Sequence, residues 1–186
     1  MDEAVARLDN RKLGVWAFIG SESLFFAALI GMYMVYRGRT GPPAHQVLDI
    51  NFTAILAFIL LMSSLTMVLA LKAIREDNQR GLRIWLSATI FLGLLFLAGQ
   101  AYEFTELVVH EHVTITNSLF GASFFTLTGF HGTHVAVGVI WLGAVLARAF
   151  GGGFTSQNFI AVEIAGLYWH FVDLVWVVIF TLIYLI

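Results

Sequence analysis

The sequence has no cysteine, only two prolines and few charged residues among its 186 positions. Without cysteine it has no disulfide, no thiolate metal site, no cysteine nucleophile and no thioether link to a c-type haem. The net charge is −2, and neither a basic run nor a glycine-rich phosphate loop is present. These absences argue against nucleic-acid binding and phosphoryl transfer.

Apolar residues dominate what is there. The chain is 59% hydrophobic and 12% charged, with a mean hydropathy of +0.85, whereas soluble domains are about half apolar and a quarter charged. The N-terminal "MDEAVARLDNRK" lacks the basic region, short apolar core and cleavage site of a signal peptide. We therefore expect an integral membrane protein whose first apolar stretch is retained as a helix.

Five apolar segments are long enough to cross the roughly 30 Å hydrocarbon core, which takes about 20 helical residues. They are Leu13–Tyr36, Ile50–Leu71, Leu82–Phe104, Ser118–Ala147 and Phe159–Ile186. Polar, turn-forming sequences separate them, including one with both prolines, "RGRTGPPAHQ". No period-two strand pattern is present. The prediction is an all-α bundle of five transmembrane helices forming a single domain over residues 1–186, with a fourth helix long enough to tilt or project.

The basic residues predict the orientation. With a cytoplasmic N-terminus, the cytoplasmic side holds Arg7, Arg11, Lys12, Lys72, Arg75, Arg80, Arg83 and Arg148, and the other side holds Arg37 and Arg39. The outer loop after the third span carries Glu106, His110, Glu111 and His112 and no basic residue. The N-terminus is therefore expected inside and the C-terminus outside.

Eight polar residues interrupt the apolar spans and are the candidate site residues. They are Glu22, Gln100, Glu103, His131, His134, Glu163, His170 and Asp173. A charged side chain at the centre of a helix costs about 2.5–3.5 kcal/mol on insertion scales, so such residues normally face other helices or a partner. We expect these eight to lie inside the bundle or at an interface.

Helical spacing groups several of these residues. Glu163, Gly166, His170 and Asp173 fall on one stripe of the fifth helix. On the fourth helix His131 and His134 share a face, with Gly129, Gly132 and Gly138 nearby to allow close packing. The simplest arrangement packs the fourth and fifth helices together, with their polar stripes joined in one hydrogen-bonded network.

Three interpretations of that network are open. The histidines could hold a metal or haem, although the Glu-x-x-His and H-E-x-x-H motifs are absent. Glu22, Glu163 and Asp173 could relay protons or a solute, although the sequence has no repeated halves. The polar residues could also join helices, each hydrogen bond contributing about 0.5–2 kcal/mol in lipid.

Four sequence blocks resemble subunit III of haem-copper terminal oxidases. They are "WAFIGSESLFF" (16–26), "GLLFLAGQAYEF" (93–104), "FFTLTGFHGTHVAVG" (124–138) and "EIAGLYWHFVDLVW" (163–176). Their order and spacing match across the first, third, fourth and fifth helices. Glu22 matches the family's intramembrane carboxylate, Gln100 and Glu103 match its Gln-x-x-Glu motif, and the other five candidates match its remaining signature positions.

The resemblance implies a subunit with no redox centre, catalytic residue or metal ligand, since haem and copper belong to subunits I and II. It implies packing against subunit I, bound phospholipid, support of sustained turnover and help with proton entry from the cytoplasmic side. The expected location is the bacterial plasma membrane. "GQAYEF" and "YWHFVD" look closer to the cytochrome c oxidase members than to the quinol oxidase members.

In one respect the chain departs from the longer family members. Those have two more N-terminal helices, with lipids in a cleft between that pair and the other five, so this chain resembles the five-helix bacterial form. A small subunit IV or lipid would then occupy the missing place. The alternatives are a quinol oxidase subunit, the branch associated with nitric oxide reductase and, outside the family, a stand-alone proton-coupled transporter.

Overall fold

The computed structural model describes residues 10–37 and 48–186. Within them lie five helices long and apolar enough to span a membrane, which confirms the predicted all-α bundle. The helices are α1 (Asn10–Tyr36), α2 (Ile50–Arg75), α3 (Gln79–Val109), α4 (Leu119–Phe150) and α5 (Ile160–Phe180), with a π-helical turn over Thr181–Leu185.

Side-chain caps set several helix starts. The Asp49 carboxylate accepts hydrogen bonds from the N–H groups of Asn51 and Phe52 at 3.0 and 3.1 Å, and Asn78 and Ser118 cap α3 and α4. The predicted range of α3, Leu82–Phe104, is too short at both ends, because hydropathy locates only the apolar part of a helix. The observed helix continues through polar turns that lie outside the apolar window.

The helices run alternately up and down, and α5 lies in the middle. It packs against α1, α2 and α4, and α3 packs between α2 and α4. By contrast, α1 rests on the outside of α4 and α5, and Phe26 and Tyr33 are its buried residues. Most of the apolar surface of α1 therefore faces outward.

A buried tryptophan fixes α5 against its neighbours. The Trp169 indole N–H donates to the Ser63 hydroxyl of α2 at 2.9 Å, and its ring lies against Gly93 of α3 and Gly138 of α4. A Cβ atom at Gly93 would lie 2.7 Å from the ring, and one at Gly138 would lie 2.9 Å from it. The two glycines let three helices close around one large side chain.

The end of the bundle that carries the starts of α1, α3 and α5 is closed by contacts between two loops. Ser156 donates its hydroxyl and N–H to the Asp77 carboxylate, both at 2.6 Å. These hydrogen bonds lower the pKa of Asp77 because they favour its charged form, and the bond from the Ser156 hydroxyl has the larger effect. Gln79 also donates to the Phe154 carbonyl at 2.6 Å, so the α2–α3 and α4–α5 connections are joined.

Basic residues collect at this end. Among the described residues they are Arg11, Lys12, Lys72, Arg75, Arg80, Arg83 and Arg148, with Arg37 at the opposite end. Arg7 and Arg39, which the orientation prediction also counts, lie outside the described residues. The opposite end carries Asp49, Glu106 and Glu111, so the two ends differ in charge.

We predict that Gly138→Ala destabilises the bundle by about 1–3 kcal/mol, the range for overpacking a filled core. Its added methyl group would collide with the ring of Trp169, which is 1% exposed and held by Ser63. The measurement is detergent-induced unfolding of the purified protein.

Gly143→Ala is the matched control, because it lies on the same helix with no atom within 4 Å of the added Cβ. Equal stability of the two variants would contradict the packing argument.

Candidate functional site

The first candidate contact joins α1 to α4. Glu22 Oε2 lies 3.2 Å from His134 Nε2, and both side chains are half-buried. His134 Nδ1 lies 2.7 Å from the Phe130 carbonyl oxygen. Since a carbonyl can only accept, Nδ1 carries a hydrogen. A hydrogen bond between Nε2 and Oε2 then requires a hydrogen on one of these two atoms.

A second contact joins α1 to α5 at the basic end. Lys12 Nζ lies 2.8 Å from Glu163 Oε2, and both side chains are partly buried. Glu163 lies in the first turn of α5, where the unpaired N–H groups of the helix start also favour a carboxylate. Two ionisable pairs, Lys12–Glu163 near the start of α1 and Glu22–His134 further along it, therefore attach α1 to the rest of the bundle.

The acidic end is joined by a buried carboxyl. Glu103 of α3 is 7% exposed and accepts from the Thr53 hydroxyl of α2 at 2.7 Å. It also accepts from the Tyr184 hydroxyl, which lies 3.0 Å from both carboxyl oxygens. Tyr184 belongs to the π-helical turn that follows α5. This carboxyl therefore links α2, α3 and the end of α5.

Gln100 crosses from α3 to α4. Its side-chain amide N–H donates to the Thr128 carbonyl at 2.7 Å, and a Cβ atom at Gly132 would lie 2.7 Å from its amide oxygen. Gly132 and Gly138 thus allow close packing as predicted, whereas Gly129 has no atom within 4 Å of its Cβ position.

His131 is buried among aromatic rings. It is 0% exposed, and its ring stacks on Trp176 at 4.9 Å between centroids and meets the edge of Phe96 at 5.8 Å. Within residues 10–37 and 48–186, neither ring nitrogen has a hydrogen-bond partner. In this environment His131 packs as an aromatic residue.

His170 and Asp173 both face α2. His170 Nδ1 lies 2.7 Å from the Ser64 hydroxyl. Asp173, three residues further along α5, is 6% exposed and also lies near Ser64. Ser63 and Ser64 thus receive Trp169 and His170 from successive positions of α5. Sequence reasoning missed these two serines, as it missed Thr53 and Tyr184, because hydroxyl residues in a membrane helix can bond to their own backbone and give no distinct pattern.

The predicted network between α4 and α5 is wrong. His134 and Glu163 both pair with α1, while His170 bonds to α2. A hydrogen bond that does join α4 and α5 is made by the Tyr168 hydroxyl, which donates to the His134 carbonyl at 3.1 Å. Residues three apart on a helix are offset by about 60°, enough for α4 and α5 to direct neighbouring polar residues to different helices.

No group of three or more histidine, aspartate or glutamate side chains in the described parts of the chain is placed to hold a metal ion. Instead, the polar side chains of α5 and its π-helical turn contact each of the other four helices. The contacts are Glu163 to α1, Trp169 and His170 to α2, Tyr184 to α3 and Tyr168 to α4.

Comparison with known proteins gives a match over nearly the whole chain. Residues 3–186 match the family model described as cytochrome c oxidase subunit III. The chain is 41% identical to cytochrome c oxidase subunit 3 of Alkalihalophilus pseudofirmus over 178 residues, covering 95% of this chain and 86% of that one. It is 38% identical to cytochrome c oxidase subunit 3 of Corynebacterium diphtheriae, with 98% and 91% covered. It is 37% identical to quinol oxidase subunit 3 of Bacillus subtilis, with 93% and 85% covered.

Proposed function

The chain belongs to the cytochrome c oxidase subunit III family, and we propose that it is the non-redox subunit of an oxidase that takes electrons from cytochrome c. Its place as subunit III of a haem-copper oxidase follows from the family match over residues 3–186. The observation that supports a non-redox role is that candidate side chains bond to or pack against other helices of the same chain. Haem and copper then belong to the partner subunits.

A quinol oxidase is the second candidate. One relative at 37% identity is a quinol oxidase subunit 3, close to the 41% of the cytochrome c oxidase relative. The donor is expected to dock on other subunits, so similarity between sequences is what distinguishes the two candidates. The cytochrome c assignment is supported by the somewhat higher identity and by "GQAYEF" and "YWHFVD".

The proposed orientation places the basic end of the bundle in the cytoplasm. Basic residues near membrane spans are retained on that side, and this end carries seven of the eight described basic residues named above. The N-terminus then lies inside and the C-terminus outside. Bacterial relatives support a location in the bacterial plasma membrane.

The proposed role is to steady subunit I and to assist proton uptake during the reduction of oxygen to water. Subunit I is the main expected partner, with subunit II in the same complex. The Glu22–His134 pair supports a proton-related role, because it brings a carboxyl and an imidazole, two groups able to bind a proton, within hydrogen-bond distance inside a membrane span. The outward apolar face of α1 is available for phospholipid or for a small subunit IV.

We expect this chain, tagged and extracted gently from its membrane, to bring haem-copper subunits with it. Oxygen uptake driven by reduced cytochrome c would support the proposed donor. Uptake driven by quinol alone would move the protein to the quinol branch, and nitric oxide reduction would move it to the associated branch. A colourless chain purified alone would contradict the proposal and favour the transporter.

Deletion of the chain is expected to leave the haem spectrum nearly unchanged while oxidase activity decays faster during turnover. The reason is that the haem sites lie in other subunits, which lose only a stabilising neighbour. The measurement is the lifetime of oxygen uptake under continuous turnover, with re-expression of the chain as the control. An unchanged lifetime would contradict the stabilising role.

Replacing Glu22 by alanine is expected to reduce retention of the chain in the complex without changing the optical spectrum. The change removes the partner of His134 Nε2, an interhelical bond worth about 0.5–2 kcal/mol in lipid. The measurement is the ratio of this subunit to haem after purification. Ser21→Ala is the control, because that hydroxyl bonds to the Phe18 carbonyl of its own helix.

Glu22→Gln separates the two roles of the residue. The amide still reaches His134 but cannot take up or release a proton, so a purely structural role predicts normal assembly and normal turnover lifetime. Normal assembly with a shortened lifetime would support the proton-related role.

Loss of a haem band in His131→Ala, with assembly intact, would revive the ligand interpretation.

A further inference from the structure

A pocket of about 480 Å³ lies at the basic end of the bundle, where α3 passes the end of α4. It is lined by Arg80, Arg83, Ile84 and Ser87 of α3 and by Phe150 of α4. On α3 these residues are spaced so that they share one face of the helix. The candidate polar residues of the bundle do not contribute to the lining.

The charged part of the pocket has no acidic partner. Within residues 10–37 and 48–186, neither Arg80 nor Arg83 forms an ion pair with a carboxylate, and no acidic residue lines the pocket. Arg83 Nε donates to the Ala149 carbonyl at 3.1 Å, and its guanidinium carbon lies 5.4 Å from the centre of the Phe150 ring. These contacts hold Arg83 in place while its terminal N–H groups remain available.

Apolar side chains adjoin the two cations. Ile84 follows Arg83 on α3 and is 54% exposed, and Phe150, the last residue of α4, is 62% exposed and lies beside the Arg83 guanidinium. The pocket therefore presents cations and exposed apolar side chains side by side near the start of a membrane span. A phospholipid joins the same two kinds of group, an anionic phosphate and apolar acyl chains.

We propose that this pocket binds an anionic phospholipid of the leaflet at the basic end, with its phosphate on Arg80 and Arg83 and an acyl chain against Ile84 and Phe150. Planar guanidinium groups suit phosphate oxygens because they can donate two parallel hydrogen bonds. Two unpaired cations without a carboxylate favour a lipid of net negative charge over a zwitterionic one. The inference requires only that the helices cross a membrane, so its failure would leave the family assignment unchanged.

The test uses the purified membrane complex that contains this chain, held in phosphatidylcholine nanodiscs. Phosphatidylglycerol is added, and native mass spectrometry measures how much remains on this subunit. Arg80→Gln is expected to weaken phosphatidylglycerol binding about fivefold, from the attraction of roughly one basic residue for an anionic lipid. Arg80 is exposed, so its replacement leaves the core intact.

Lys72→Gln is the matched control, because it removes one positive charge at the same end from an exposed side chain outside the pocket. Its binding is expected to equal that of the unchanged protein, and Arg80→Lys is expected to lie between that protein and Arg80→Gln. Equal loss in Lys72→Gln and Arg80→Gln would overturn the proposal in favour of general surface attraction. Unchanged binding in Arg80→Gln, or equal retention of phosphatidylcholine, would overturn it as well.

Discussion

The bonding of α5 to every other helix is the constraint on which the rest of the bundle depends. Hydrocarbon supplies no water to a polar side chain, so a partner on another helix or on the residue's own backbone stabilises it there. Because α5 has neighbours on several sides, its polar residues are directed to different helices rather than gathered in one network. Shifting or rotating α5 would break the contacts of Glu163, Tyr168, Trp169, His170 and Tyr184 together.

The packing around α5 follows from the same arrangement. Trp169 fits between α3 and α4 because Gly93 and Gly138 have no side chains, and its N–H is satisfied by Ser63 on α2. One residue thereby combines close packing with a directional bond. Van der Waals contact supplies much of helix association in lipid, where apolar burial gives little advantage, so small residues opposite a large one are effective.

The attachment of α1 differs from that of the other helices, and this difference bears on function. Few residues of α1 are buried, and two ionisable pairs, Lys12–Glu163 and Glu22–His134, connect it to the bundle. A subunit proposed to steady a larger oxidase needs an outer surface that partners or lipids can cover, and α1 provides one. The Glu22–His134 pair lies where this outer helix meets α4, and both of its side chains are partly exposed.

The sequence by itself determined the number of membrane helices, the eight polar residues within them and the family, because hydropathy and motif order are local properties of the chain. It also predicted close packing at Gly132 and Gly138. Only the tertiary structure decided the partners. His131 and His134 lie three residues apart, yet one is enclosed by Trp176 and Phe96 and the other bonds to Glu22 on a different helix. The hydroxyl partners Thr53, Ser64 and Tyr184 gave no signal in the sequence, because which helix a small polar group meets depends on how the helices are rotated against one another.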